Sequence, residues 1–180
     1  MAPPAARRNT EFERTCLPLI GSVQAFALSL TRKNADADDL VQETYLKALR
    51  AFHTFTRGTN AKAWLFTIAR RLNIDRFRRA RVRPQPLAEE AVEDTSLAPA
   101  AAEAPQGEGW EQLSLEVVRR AIEGVPDPFR LAVVLRDLQG LSYHDIAEVL
   151  GVPAGTVMSR LHRGREYVRQ ALVPLLRARP

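Results

Sequence analysis

The strongest constraint on the fold lies near the C-terminal end, in the stretch from Leu141 to Arg165. Ser142 followed by Asp145 is a capping-box-like helix start. Ile146, Ala147, Val149 and Leu150 supply an apolar face at helical spacing. Gly151 stands where a helix C-cap requires a left-handed residue. Pro153 suits the start of a second helix, where its missing N–H costs nothing. In that helix Val157 and Leu161 point back at the first, while Ser159, Arg160, His162 and Arg163 lie largely on other sides. Two short helices at a sharp corner, the second rich in arginine, form a helix-turn-helix whose second helix fits a DNA major groove.

Composition narrows the remainder. The 180 residues allow one domain or two small ones. Ala, Leu and Arg dominate and β-branched runs are absent, which predicts an all-α protein. A net charge of +5 points to a polyanionic partner. Cys16 is the only cysteine, so no internal disulfide forms, and three scattered histidines give no zinc spacing. Nothing resembles a phosphate-binding glycine loop, a nucleophile triad or a cofactor fingerprint, so neither an enzyme nor a cofactor is expected. No apolar run reaches the length of a membrane span, and Met1 to Arg8 lacks the apolar core of a signal peptide. A soluble cytoplasmic protein is expected.

The organisation predicted along the chain is a disordered N-terminus (1–9), a helical domain (10–83), a flexible acidic linker (84–109) and a four-helix domain with the helix-turn-helix (110–177). Thr10 is predicted to cap a first helix reaching about Thr31, broken or kinked at Pro18. Its apolar positions are Phe12, Leu17, Ile20, Val23, Phe26, Ala27 and Leu30. The next helix, Asp36 to Arg50, opens with acids suited to the positive end of its dipole. Its buried stripe uses Leu40 or Val41, Thr44 or Tyr45, Ala48 and Phe52, leaving an acidic patch elsewhere on a basic protein. Phe55 to Asn60 is a loop with a glycine and a potential cap. A third helix, about Ala61 to Arg81, carries Lys62, Arg70, Arg71, Arg76, Arg78 and Arg79 with Trp64, Phe66 and Phe77 interleaved. Cations track phosphates and rings stack on exposed bases, a combination suited to melted nucleic acid. Pro84 to Gly109 holds prolines, alanines and six acids and no lysine or arginine, the composition of a linker. Beyond it one helix is predicted around Val117, Val118, Ala121 and Ile122. Another opens at Pro126 and Pro128 and buries Leu131, Ala132, Val134, Leu135 and Leu138. The last helix is predicted to bend or end at Pro174.

Taken together, Asp36-Ala37-Asp38-Asp39-Leu40-Val41-Gln42-Glu43-Thr44, Ala63-Trp64-Leu65-Phe66-Thr67-Ile68-Ala69-Arg70-Arg71, Val125-Pro126-Asp127-Pro128-Phe129-Arg130 and Gly155 to Arg163 resemble the compact extracytoplasmic-function (ECF) class of bacterial RNA polymerase sigma factors. The resemblance covers nearly everything outside the N-terminus and linker. It implies that the acidic helix docks on the clamp of the largest subunits of core RNA polymerase through Asp36, Asp39, Leu40, Gln42 and Glu43. It implies that Phe55, Asn60, Lys62, Trp64, Arg70, Arg71, Arg76 and Arg79 take the melted minus-ten promoter element, with a flipped base held by the loop. It further implies that Thr156, Met158, Ser159, Arg160, His162 and Arg163 read the minus-thirty-five element as duplex. Met158 stands where relatives commonly have lysine or arginine, and Arg71 where many carry asparagine. The implied partners are core polymerase, including the flap of the second-largest subunit, promoter DNA and an anti-sigma factor, with the free protein a monomer. The competing class is a conventional helix-turn-helix regulator acting without polymerase. That class leaves the acidic helix and the basic aromatic helix without a purpose.

Overall fold

The computed structural model describes residues 4–82 and 115–177, and the expected linker lies outside the described residues. Among the described residues every regular element is helical. They run α1 (Pro4–Cys16), a 3-10 turn (Leu17–Leu19), α2 (Ile20–Thr31), α3 (Asn34–Ala51), a second 3-10 turn (Phe52–Thr54) and α4 (Ala61–Val82). After the linker come α5 (Leu115–Glu123), α6 (Asp127–Val133) continuing as one π-helical segment (Val134–Leu138), α7 (Tyr143–Leu150) and α8 (Ala154–Arg177).

Four expectations are corrected. The first helix begins at Pro4 rather than at a Thr10 cap, so residues 4–9 are helical; a proline followed by two alanines suits a first turn. The break at Pro18 is present as a 3-10 turn, and it rotates Leu17 and Ile20 out of the core, leaving both about half exposed. Leu138 is likewise exposed, at 56%. At the far end α8 runs past Pro174 to Arg177.

The N-terminal helical domain, hereafter domain two, packs α2, α3 and α4 around Val23, Phe26, Leu40, Leu65, Phe66 and Ala69. Phe26 and Phe66 stack with ring centroids 4.4 Å apart, which assigns Phe66 to the core. Phe52 stacks on Phe55 at 5.6 Å, and Trp64 leans on both, so this aromatic cluster pins the loop between α3 and α4. Arg32 ends α2 with φ 59°, a left-handed cap on a non-glycine residue.

The C-terminal domain, hereafter domain four, is built from α5 to α8. The capping box at Ser142 is closed on both sides: the Asp145 main-chain N–H donates to Ser142 Oγ at 3.1 Å, and the Ser142 N–H donates to Asp145 Oδ2 at 3.3 Å. Gly151 ends α7 with φ 63°, as its place in the sequence requires. Pro153 caps α8 from just outside it, its carbonyl accepting the Val157 N–H. Gly164 is where α8 crosses α6, and a Cβ there would sit 2.6 Å from Val133 Cγ2 and 2.8 Å from the Phe129 carbonyl oxygen. The glycine is needed because the two helix backbones approach too closely for a side chain.

Candidate nucleic-acid interface

The acidic face of α3 is real but differently composed than expected. Asp36, Asp39 and Gln42 are exposed. Leu40 is fully buried beneath them and is withdrawn as a contact residue: helical periodicity turns it inward with Ala37, Val41 and Thr44. Glu43 is engaged by Arg76 of α4, at 2.8 Å to Nη2 and 3.0 Å to Nε. Arg76 also donates to the Asp36 carbonyl at 3.3 Å. These two residues therefore tie α3 to α4. Leu46 stands one turn beyond Gln42 with 58% of its surface exposed, which gives the acidic face an apolar member missing from the sequence-derived set. Its position on the helix three or four residues after Gln42 and Glu43 was the available signal.

Asn60 is the N-cap of α4. Its Oδ1 accepts the N–H groups of Lys62 (3.1 Å) and Ala63 (3.3 Å). With the oxygen committed, the amide nitrogen is the remaining donor, and it is given to Asp145 Oδ2 of α7 at 3.0 Å. Gly58, φ 85°, makes the turn that brings the loop back to this cap. Phe55 and Trp64 are half-buried in the aromatic cluster, so they shape the loop rather than protrude from it. Along α4, Arg70 is half-buried and its guanidinium is held below its usual range, first by burial and then by repulsion from Arg160 of α8. Arg71 and Arg79 are exposed. Phe77, expected as one of the interleaved rings though not among the assigned contacts, is 60% exposed between Arg76 and Arg78. A bare ring flanked by cations can stack on an unpaired base.

On α8, Val157 and Leu161 are buried against the rest of domain four, and Met158 and His162 face outward. Thr156, Ser159 and Arg160 are half-buried, and Ser159 Oγ donates to the Thr156 carbonyl at 3.0 Å. The Arg163 guanidinium lies 5.9 Å from the Phe129 ring centroid. The exposed Met158 offers a flexible apolar contact, of the kind that suits a thymine methyl.

The two surfaces stand on two separately recognisable modules. Residues 18–83 match the family described as Sigma-70 region 2, and residues 115–168 match Sigma-70, region 4. The ECF RNA polymerase sigma factor EcfG of Rhodopseudomonas palustris is 38% identical over 156 residues, which cover 87% of this chain and 82% of that protein. The chain belongs to the ECF RNA polymerase sigma factors. A second relative is the ECF RNA polymerase sigma factor SigE of Mycolicibacterium smegmatis, 37% identical over 151 residues. The match covers 83% of this chain and 57% of that longer protein. Among solved structures, the sigma factor RpoE of Bartonella quintana, crystallised with the anti-sigma factor NepR, superposes with a TM-score of 0.68 at 31% identity. That match covers 90% of this chain and 96% of RpoE. This ECF sigma factor is thus an alternative specificity factor for transcription initiation, with region 2 in domain two and region 4 in domain four.

Proposed function

We propose that the chain recruits core RNA polymerase to a class of promoters by dividing three tasks among its surfaces. The exposed face of α3, with Asp36, Asp39, Gln42 and Leu46, docks on the basic clamp of the polymerase, joining charge complementarity to one apolar anchor. The N-terminus of α4 and its loop take the minus-ten strand as it melts, with Asn60 and Lys62 as donors and Arg70, Arg71 and Arg79 along the phosphates. Phe77 provides a stacking surface at the far end of the helix. The recognition helix α8 enters the major groove at the minus-thirty-five element, placing Thr156, Met158, Ser159, Arg160 and His162 at base edges or phosphates. Nothing in this division requires bond chemistry, so the protein acts as a binding subunit in the cytoplasm. No described helix is long and apolar enough to cross a membrane. An anti-sigma factor is the natural regulator, since the structurally similar RpoE was crystallised with NepR.

The observation that carries this reading is the coexistence of an acidic, leucine-bearing α3 face with two DNA-suited surfaces on separate domains. The test is transcription in vitro with sigma-free core polymerase and a genomic fragment library. RNA starts sharing two upstream elements at fixed spacing are the expected result. Asp39→Arg should abolish both initiation and co-migration with core while leaving binding of the isolated protein to duplex DNA intact. Duplex binding without initiation by the unaltered protein would instead establish the conventional regulator.

A further inference from the structure

Most of the bonds that shape the loop from Phe55 to Asn60 are local. The Phe55 N–H donates to the Phe52 carbonyl at 3.1 Å. The Thr59 N–H and Oγ1 both donate to the Thr56 carbonyl, at 3.2 and 2.7 Å. At the exit the Asn60 carbonyl accepts the Trp64 N–H at 3.1 Å. Two contacts are not local, and both come from adjacent residues of α1. Phe12, 5% exposed, meets the Phe52 ring edge-on, with centroids 5.3 Å apart and planes at 85°. Glu11 accepts from Arg57 Nη2, 46 positions further along the chain. Arg57 stands at the loop tip with its side chain 80% exposed, and Glu11 is its partner among the described residues. The end of α1 is itself seated on α3, where the Tyr45 hydroxyl donates to the Cys16 carbonyl at 2.8 Å. The helix ends before the residues 18–83 that match Sigma-70 region 2, so the brace comes from outside the matched module.

We infer that Glu11 and Phe12 are positioning residues for minus-ten recognition, with α1 bracing the loop so that it is shaped before the melted strand arrives. The inference rests on the assignment of that loop to the minus-ten strand proposed above. A base taken out of the stack is chosen by the shape and hydrogen-bonding groups around it. A loop free to move would adapt to a wrong base, and it would give up conformational freedom to hold the right one. A loop fixed in advance keeps the misfit of the wrong base unrelieved, which is what selectivity requires. The local bonds set the curvature of the loop. They do not set where its tip and its entry stand against α4, and the two contacts from an independent helix do. Phe12 acts at the entry, through the run of rings from Phe52 to Phe55 and Trp64. Glu11 acts at the tip. Unheld, the Arg57 guanidinium would pair with whichever phosphate came near, a contact indifferent to sequence. The carboxylate competes for it and keeps the tip in one place. An ion pair this exposed is weak, so the buried ring carries the larger share.

The test uses the full chain assembled with core polymerase. The probes are fluorescein-labelled promoter forks taken from mapped starts, with each minus-ten position changed to the other three bases. The quantity read is discrimination, the ratio of Kd for the worst base to Kd for the best at the most selective position. Glu11→Gln and Phe12→Leu are compared with the wild-type chain, each checked for native helicity by circular dichroism. Glu13→Gln is the control, since Glu13 is an exposed acid on the same helix and its loss removes the same charge. Discrimination should fall about twofold to threefold in Glu11→Gln, as suits an exposed pair. It should fall about fivefold in Phe12→Leu, which loses an edge-on ring contact. Affinity for core polymerase and for minus-thirty-five duplex should not change in either. Glu13→Gln should shift all the probes together and keep the ratio. Combining Glu11→Arg with Arg57→Glu should restore the ratio, even though a carboxylate at the tip weakens binding to every probe. Unchanged ratios in Glu11→Gln and Phe12→Leu would overturn the brace. So would an equal loss on all probes with the ratio kept, which marks a merely structural role. If Phe12→Leu fails to fold, Glu11→Gln and the swap decide alone. Asn60→Ala separates the brace from the reading beneath it. Wild-type binding of every probe by Asn60→Ala would sink the loop assignment itself. An effect there, with intact ratios in the α1 variants, would keep the assignment and remove α1 from it.

Discussion

Replacing Gly164 by alanine tests the packing that orients the recognition helix. In a free helix interior the change would stabilise by about 1 kcal/mol, because glycine is the poorer helix former. Here the new Cβ meets Val133 Cγ2 at 2.6 Å and the Phe129 carbonyl oxygen at 2.8 Å. Comfortable carbon contacts lie near 3.5–4.0 Å, so the overlap is about 1 Å. Neither neighbour yields easily. Val133 is β-branched and buried, and the Phe129 oxygen is main chain within α6. Overpacking of this kind costs about 1–3 kcal/mol, toward the upper end where backbone must move. The net expectation is a loss of about 1–2 kcal/mol after the propensity gain is subtracted. Gly155 on the same helix is the control, since a Cβ there meets nothing within 4 Å. Gly155→Ala should be neutral or stabilising by up to about 1 kcal/mol. Urea unfolding followed by far-ultraviolet circular dichroism measures both at constant m. A Gly164→Ala protein as stable as wild type, or the two variants shifting alike, would refute the claim that α6 and α8 touch backbone to backbone.

Two further outcomes follow from the geometry. Asn60→Asp keeps an oxygen at the N-cap of α4, so stability should change by less than about 0.5 kcal/mol. It also removes the amide donor and sets a carboxylate against Asp145, so the radius of gyration should rise; a compact Asn60→Asp protein would contradict the Asn60–Asp145 contact. Cys16 is buried, and its thiol is pushed up to about 11 by burial. The folded state therefore favours the protonated form. This contribution is fully present below the unfolded thiol value of about 8.5 and is lost as pH rises through 11. Urea midpoints for domain two should fall between about pH 8 and pH 10.5, and Cys16→Ala should flatten that slope. An equal slope in the variant would show that the thiol is not responsible.

The sequence alone determined the local structure and most of the surface chemistry. Ser142, Asp145, Gly151 and Pro153 mark the corner of the helix-turn-helix because caps and left-handed turns are properties of a few adjacent residues. The acids of α3 and the cations of α4 were visible for the same reason, since charge on a helix face needs no partner to be recognised. Long-range partnership was not legible there. Leu40 was placed both on the buried stripe and among the docking residues and is core, while the exposed Leu46 and Phe77 were not among the assigned contacts, because a stripe's phase is settled by which helix packs against it. Glu43 and Arg76, assigned to different partners, spend themselves on each other 33 positions apart in the chain. Arg130 is buried and takes its acceptor from Ser29 of the other domain, a partnership no local pattern signals. Tertiary structure alone decided that Asn60 and Lys62 face domain four, since two modules joined by a long linker carry no local signal of how they meet. That meeting depends on a π-helical turn, a shared capping carboxylate and an exposed ion pair, none of which is readable one segment at a time.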